Sequence, residues 1–403
     1  MSRTTNPWVV FAGCFLVSIG ANAYMIAPSS IAPLFVEQFA IEKAAVGDIV
    51  SAAIVGSIVT QIPGGYLMDR YDNRWLMTPG VALFAFVIVT TQSVESFVPF
   101  LVLRALGGVV GGFVFTGGAN VVGEVFAGER QSFATGLFMT SPPMAFVLAH
   151  TTSPLVGTAV GPLRVFLLHA GVVVVGLALF WVGAGNPIRS AGTPTTAEFA
   201  RALGNPRVLL LSASTFCAYA LYLFLNSWVP TYGTDVLSLS LSAAGMVTAL
   251  VPLVGIVART SGGWLSARIG NRRRPVLAGG LLTGLVLLVA VPFAGGFWPF
   301  VVLLGAGAFA LQLGTGVYYV LIRELAAPGT EGTSLTVMTT IGFTGSFIAP
   351  IAGGWLIESY SWPAAFAAFG ALGLVGVAVL VPLSEGDTAA SPVGPGPETD
   401  TDT

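Results

Sequence analysis

Arg104 lies inside an apolar stretch, PFLVLRALGGVVGG, about two helical turns from its nearer end. An unpaired guanidinium there costs about 2.5–3.5 kcal/mol on insertion scales, so it must face a cavity or a partner rather than lipid. Placed so, it can hold an anion or adjust a neighbour's protonation; it can equally snorkel outward or tether backbone carbonyls. His150 and His169 are the two histidines, both within apolar runs. A neutral imidazole can carry a proton through a conformational cycle, or simply pack as a hydrogen-bonded side chain. His150 is the stronger candidate for proton coupling. No Asp or Glu lies deep in any apolar run, which speaks against carboxylate-driven cation exchange and favours anionic or neutral cargo. No phosphate-binding loop, HExxH or GxSxG occurs, and Gly107-Gly108-Val-Val-Gly111-Gly112 follows no strand. Cys14 and Cys217 sit in apolar runs, so no disulfide framework or thiolate metal site is available. No catalytic residue, cofactor or metal is expected, and the chain does not read as an enzyme.

Those side chains must be held by something, and composition says what. The chain has 403 residues, 55% of them hydrophobic and 8% charged. A soluble domain carries about 25% charged residues, so the polar shell of a soluble enzyme cannot be built. A net charge of −2 offers no basic face for nucleic acid. The solvent must be a lipid bilayer.

A helix crossing the roughly 30 Å hydrocarbon core needs about 20 apolar residues. Twelve such runs fall near 8–35, 45–68, 74–93, 96–123, 131–159, 163–184, 207–235, 241–267, 275–294, 297–322, 332–357 and 361–383. The first is too long for a signal peptide's apolar core. Alternating ten-residue strands, the mark of a membrane barrel, are absent. With the N-terminus inside, the inner segments hold Arg3, Arg70, Arg74, Arg130, Arg189, Arg201, Arg207, Arg268, Arg272, Arg273, Arg274 and Arg323, against Lys43 and Arg164 outside. Arg104 and Arg259 fall within spans. That bias places both termini in the cytoplasm of a multi-pass cell-membrane protein.

The chain divides at a polar stretch, 185–206, into bundles at 1–184 and 207–383, with an acidic tail at 384–403 that reads as disordered. The halves repeat. GGYLMDRYDNR at Gly64–Arg74 returns as GGWLSARIGNR at Gly262–Arg272, an offset of 198 residues. At that offset Gly47, Ile58, Val59, Gly64, Gly65, Leu67, Arg70, Asn73 and Arg74 meet identical residues. Six spans per copy is an even number, so the copies share one membrane orientation and the substrate path runs between them.

In these residues the chain resembles the major facilitator superfamily (MFS). The family's loop signature, Gly-x-Leu-x-Asp-Arg-x-Gly-Arg-Arg/Lys, appears as Gly65, Leu67, Asp69, Arg70 and Arg74, with Asp72 and Asn73 replacing a Gly and a basic residue. The second copy keeps Gly263, Leu265, Arg268, Gly270 and Arg272 but has Ala267 for the acid. Arg104, Gly108, Gly111 and Gly112 match a second signature, and Ala349-Pro350-Ile-Ala-Gly353-Gly354 a third. The antiporter signature of helix five is missing; Ser141-Pro142-Pro143 stands there. Similarity to cyanate/nitrate and small-carboxylate permeases is loose.

The resemblance implies an all-α fold of twelve membrane helices in two six-helix bundles. It also implies a conformational latch in the repeated loop, at Gly65, Asp69, Arg70, Arg74, Gly263 and Arg268. In the family, helices one, four, seven and ten line the cavity. Carried over, the substrate-binding candidates are Asn22, Tyr24, Arg104, Asn120, Tyr219, Tyr222, Asn226, Gln312, Tyr318 and Tyr319. The tyrosines could equally belong to an interfacial belt. The implied activity is secondary transport of a small organic or inorganic anion by rocker-switch alternating access. A co-transported proton or other ion and a monomeric state go with it. An exporter of neutral or amphipathic compounds is the alternative, and a non-transporting receptor a more distant one.

Overall fold

The computed structural model describes residues 5–188 and 196–383. Arg3, Arg189, part of the linker and the tail therefore lie outside the described residues, as do the surroundings of Gly65 and the side chain of Asp69. Every regular element among the described residues is helical.

The first half contains α1 (Pro7–Ser30), α2 (Ala32–Phe39), α3 (Ala45–Arg70), α4 (Asn73–Thr91), α5 (Phe97–Val125), α6 (Glu129–Phe138), α7 (Ser141–Val160) and α8 (Val165–Gly183). A short helix, α9 (Thr196–Leu203), precedes the second half. There follow α10 (Pro206–Asp235), α11 (Leu241–Thr248), α12 (Leu250–Arg268), α13 (Arg274–Ala290), α14 (Phe297–Leu325), α15 (Glu331–Ser359) and α16 (Trp362–Ala378). Ten segments are long and apolar enough to cross a membrane, and the apolar helices at Ala45–Gln61 and Trp362–Ala378 bring the spans to the expected twelve.

Among the described residues sixteen helices make twelve spans, because α9 belongs to no span and proline divides three spans in two. The first expected run, 8–35, breaks at Ile31, where φ is −129°, and Pro33 opens α2 in its first turn. Pro142 and Pro143 likewise start α7 and separate it from α6. Pro252 cannot donate to the carbonyl of Thr248, and the chain breaks there between α11 and α12. Side-chain caps close other ends: Asn6, Asp72, Asn205, Ser240 and Ser361 each accept a backbone N–H of the helix they precede.

Glycine sets how closely helices approach. A Cβ on Gly108 would meet the backbone of Ala53, and one on Gly56 the backbone of Ala105, so α3 and α5 touch main chain to main chain. The second half repeats this between α12 and α14, where Gly262 lies against Leu313 and Gly316 against Arg259. Around the outside, Phe86, Val286 and Val302 are each about two-thirds exposed. A belt of such side chains is stable only in lipid.

Asn6 N–H donates to the carbonyl of Gly183 and Arg274 to that of Leu383, and two spans (α10, then α11 with α12) separate Gly183 from Arg274, so both ends of the described chain lie on one side, the terminal side. The opposite side is the far side.

Candidate functional site

A cavity of about 930 Å³ lies between the two halves, walled by α1, α3, α5 and α7 on one side and α10, α12, α14 and α15 on the other. Its lining reaches Arg323, Glu324, Leu335 and Thr336, near the terminal-side ends of α14 and α15. At the far side the halves close on each other. Ser51 donates to the carbonyl of Phe347 at 2.7 Å, and Gly47 lies against the backbone of Pro350. Gly245 lies against the carbonyl of His150, and Lys43 pairs with Asp235. The cavity is open to the terminal side.

Arg259, on α12, lines this cavity. Its Nε and an Nη donate to Gln312 Oε1 at 3.3 and 3.2 Å, and Thr315 donates to the same oxygen at 3.2 Å. No carboxylate among the described residues pairs with it. Its guanidinium carbon stands 5.8 Å from the Tyr222 ring centre, and the buried Tyr222 hydroxyl has no hydrogen-bond partner. Nearby, the Tyr219 and Tyr319 hydroxyls bond each other at 2.9 Å. Glu324, at the mouth, is held by Arg273 at 3.1 Å. Away from the mouth, where Arg323 and Glu324 stand, such a site presents one cation, Arg259, bonded only to neutral groups.

Asn22, Tyr24, Tyr219, Tyr222, Gln312 and Tyr319 line the cavity, as the family resemblance implies. Asn120, Asn226 and Tyr318 do not. Tyr318 is buried and bonded to Ser214 at 2.7 Å, and Asn226 turns to His150.

Arg104 is the main departure from expectation. It is fully buried outside the cavity lining, and its guanidinium is spent on three main-chain carbonyls. It donates to Tyr24 O at 2.8 Å, Met25 O at 2.9 Å and Ile49 O at 3.1 Å, beneath the rings of Tyr24 and Phe166. The cause is Pro28, four residues after Tyr24 in α1: it has no N–H to give that carbonyl. Arg104 supplies the missing donor and ties α5 to α1 and α3. Holding the substrate does not fit this geometry; Arg259 is the cation that reaches the cavity. One sequence signal pointed to Arg259. It is an arginine within a span at the position where the first repeat has Gln61.

His150 sits in the far-side closure, on α7. Ser30 Oγ lies 2.5 Å from its Nδ1, and Asn226 Oδ1 lies 3.2 Å from its Nε2. Asn226 uses its NH₂ on the Tyr222 carbonyl at 2.8 Å, so its oxygen faces the ring. Nε2 then carries the hydrogen and Nδ1 accepts from Ser30. The imidazole bridges α1, α7 and α10 while neutral.

The repeated loop stands differently in its two copies. Arg70 folds back to the Tyr66 hydroxyl at 2.6 Å, and Arg268 lies 4.1 Å over the Trp264 ring, at equivalent positions of the repeat. Asp72, which replaces the family's glycine, caps α4 and binds Arg74 at 2.8 Å. It also accepts the Ile188 N–H at 3.1 Å, while Arg74 donates to the Gly185 carbonyl at 2.7 Å. Burial pushes the Asp72 carboxyl up, but its bonds from Arg74 and from the Ile188 and Arg74 amides outweigh this and hold it below the usual carboxylate range.

Comparison with known proteins adds family and fold. The family profile described as Major Facilitator Superfamily matches residues 10–282 and 237–400. The chain is similar to the 3-(3-hydroxy-phenyl)propionate transporter of Escherichia coli, at 25% identity over 95% of this chain and 96% of that one. It is also similar to the Multidrug resistance protein MdtG of Proteus mirabilis, at 23% identity over 90% and 91%. Among solved structures, a bacterial homologue of the human lysosomal transporter Spinster, in an inward-facing and unoccupied conformation, shares the fold. Its TM-score is 0.75 at 17% identity, covering 94% of each chain.

Proposed function

The chain belongs to the Major Facilitator Superfamily, and from that premise we propose that it is a secondary transporter of a small organic anion working by alternating access. Transport of a small molecule across a membrane is common to its relatives; the anion is the reading of this site. One observation carries it. Arg259 faces the cavity between the halves, bonded to the neutral Gln312 and paired with no carboxylate among the described residues. A guanidinium facing a cavity without a carboxylate of its own favours an anionic guest, which it can bind through charge-assisted, bidentate hydrogen bonds.

The rest of the cycle follows from the same elements. The distribution of arginines supports a cytoplasmic terminal side, so this conformation would be inward-open. Binding would draw the terminal-side ends of the halves together and release the far-side contacts. In that closed state the loop arginines Arg70 and Arg74 would reach the other half as a latch. His150 would be the proton site: its ring is held between Ser30 and Asn226 in the far-side closure and would be released to water once that closure opens. A single chain supplies both halves of the path, and a monomer suffices.

A test is uptake of labelled organic anions by the purified chain in liposomes. Uptake by the unaltered protein and its loss in Arg259→Gln is the expected result. Anion uptake that ignores this substitution would sink the reading. Neutral-compound efflux is the second reading, favoured by the mostly apolar lining and by the MdtG likeness. It requires movement of uncharged solutes with Arg259 dispensable.

A further inference from the structure

This inference rests on the anion reading and names the kind of anion. We propose that the cavity selects an organic anion bearing one negative charge and an aromatic body, with its carboxylate on Arg259 and Tyr222 and its ring against Phe146 of the first half.

The cavity holds few charges. Its lining contains Arg259, Arg323 and Glu324 as charged groups among the described residues. Glu324 is already bonded to Arg273, and Arg323 lies at the mouth, in the last turn of α14. Arg259 alone stands away from the mouth. Its counterpart at the 198-residue repeat offset is Gln61, which lines the same cavity and is engaged by Thr340 at 3.0 Å. The first half therefore adds no second cation. A dicarboxylate would leave one carboxylate unpaired against an apolar wall, at a cost that affinity must absorb.

The donors around Arg259 fit a carboxylate. Two of its nitrogens share Gln312 Oε1 at 3.2 and 3.3 Å, long enough to yield to a charged acceptor. The unpartnered Tyr222 hydroxyl belongs to the ring beside that guanidinium and can donate to the second carboxylate oxygen. A small inorganic anion such as nitrate has no apolar body to cover the opposing wall, where Asn22, Ser57, Thr116 and Thr140 donate to backbone carbonyls.

That wall is where the body of the substrate would lie. Phe146, from the first half, stacks on Tyr222, from the second, with ring centres 5.9 Å apart and planes 6° from parallel. Gly107, Gly108, Gly111 and Gly112 of α5 border the same cavity, but Tyr24, Ala53 and Ser57 already fill the Cβ spaces of Gly107, Gly108 and Gly112, so the flat surface left to a guest is that of the Phe146–Tyr222 pair. A planar ring can extend that stack, and aromatic pairing favours it over an aliphatic body of equal area. A guest held this way touches both halves, which lets its binding govern how they move.

Isothermal titration of the full chain in lipid nanodiscs tests this with four probes: phenylacetate, its neutral analogue 2-phenylethanol, succinate and nitrate. Phenylacetate should bind at least about tenfold more tightly than the other three, as one charge-assisted carboxylate contact implies. Arg259→Gln should abolish that margin. Phe146→Leu, which keeps the volume apolar, should weaken phenylacetate several-fold. Succinate or nitrate binding most tightly, with the effect lost in Arg259→Gln, would overturn the aromatic monoanion while leaving the anion reading intact. Equal binding of 2-phenylethanol, indifferent to Arg259→Gln, would overturn both. Absence of phenylacetate binding would also overturn the proposal.

Discussion

The carbonyl oxygen of His150 occupies the space in which a side chain on Gly245 would have to begin. Pro154, four residues on, has no N–H for that carbonyl, so it stays free to meet a neighbouring helix. Gly47, the repeat counterpart of Gly245, meets Pro350 of α15 in the same way. The far-side closure is thus built from two glycine-to-backbone contacts related by the internal duplication. Neither helix can yield to a new Cβ without moving as a whole. Gly245→Ala and Gly47→Ala should therefore prop the far side open and shift the population outward. Spin labels placed on the far-side ends of α3 and α15 would report it as a longer distance. An unchanged distance distribution in both variants would contradict such a closure.

Arg104 and Arg259 should fail in opposite ways. Arg104→Met leaves the Tyr24, Met25 and Ile49 carbonyls without their donor inside the protein. The expected loss is about 3 kcal/mol of stability or more, read as a lowered melting temperature, with anion affinity per folded molecule retained. Arg259→Gln should melt close to the parent and lose anion binding. If Arg104→Met melts normally but binds nothing, then Arg104 holds the anion and is not the structural tie between α1, α3 and α5.

How much of this the amino-acid sequence announced depends on scale. The twelve spans follow from run length, because a bilayer tolerates nothing shorter in its core. Duplication is visible because Gly64–Arg74 recurs at Gly262–Arg272 with Gly, Gly, Leu, Arg, Asn and Arg in the same places, six of eleven positions. The facing of a single side chain is another matter. Arg104 and Arg259 both interrupt apolar helices, and local composition does not distinguish them. What separates them is non-local: Pro28 creates a vacancy for one arginine 76 positions away, and α14 presents Gln312 to the other. The helix breaks at Ile31 and between α11 and α12 were, by contrast, written in Pro33 and Pro252.

If His150 is the proton site proposed above, it would link the far-side closure to pH. In its neutral form it accepts from Ser30 and donates to Asn226, which in turn holds the backbone of Tyr222. His150→Gln keeps a hydrogen-bonding group but cannot take up a proton near neutrality. Uptake driven by an inward proton gradient should fall by about tenfold or more, while exchange of labelled for unlabelled substrate, which needs no net proton movement, persists. Gradient-driven uptake equal to the parent would remove His150 from the coupling.

Asp72 gives a pH effect of known sign. Its folded-state carboxyl is held below the usual range, so it contributes stability that is fully present above the ordinary aspartate value of about 3.9. That contribution is lost as pH falls through the lower, folded value. Near neutrality the bond to Arg74 and to the Ile188 amide fastens the 185–188 segment to the start of α4. Asp72→Asn retains the cap geometry and removes the charge. It should lower stability by about 0.5–1 kcal/mol at pH 7, and the variant and parent melting curves should converge as the pH falls through the lowered, folded-state value. A difference that stays constant across the acid range would show that the carboxylate's charge contributes nothing and that Asp72 acts only as a cap.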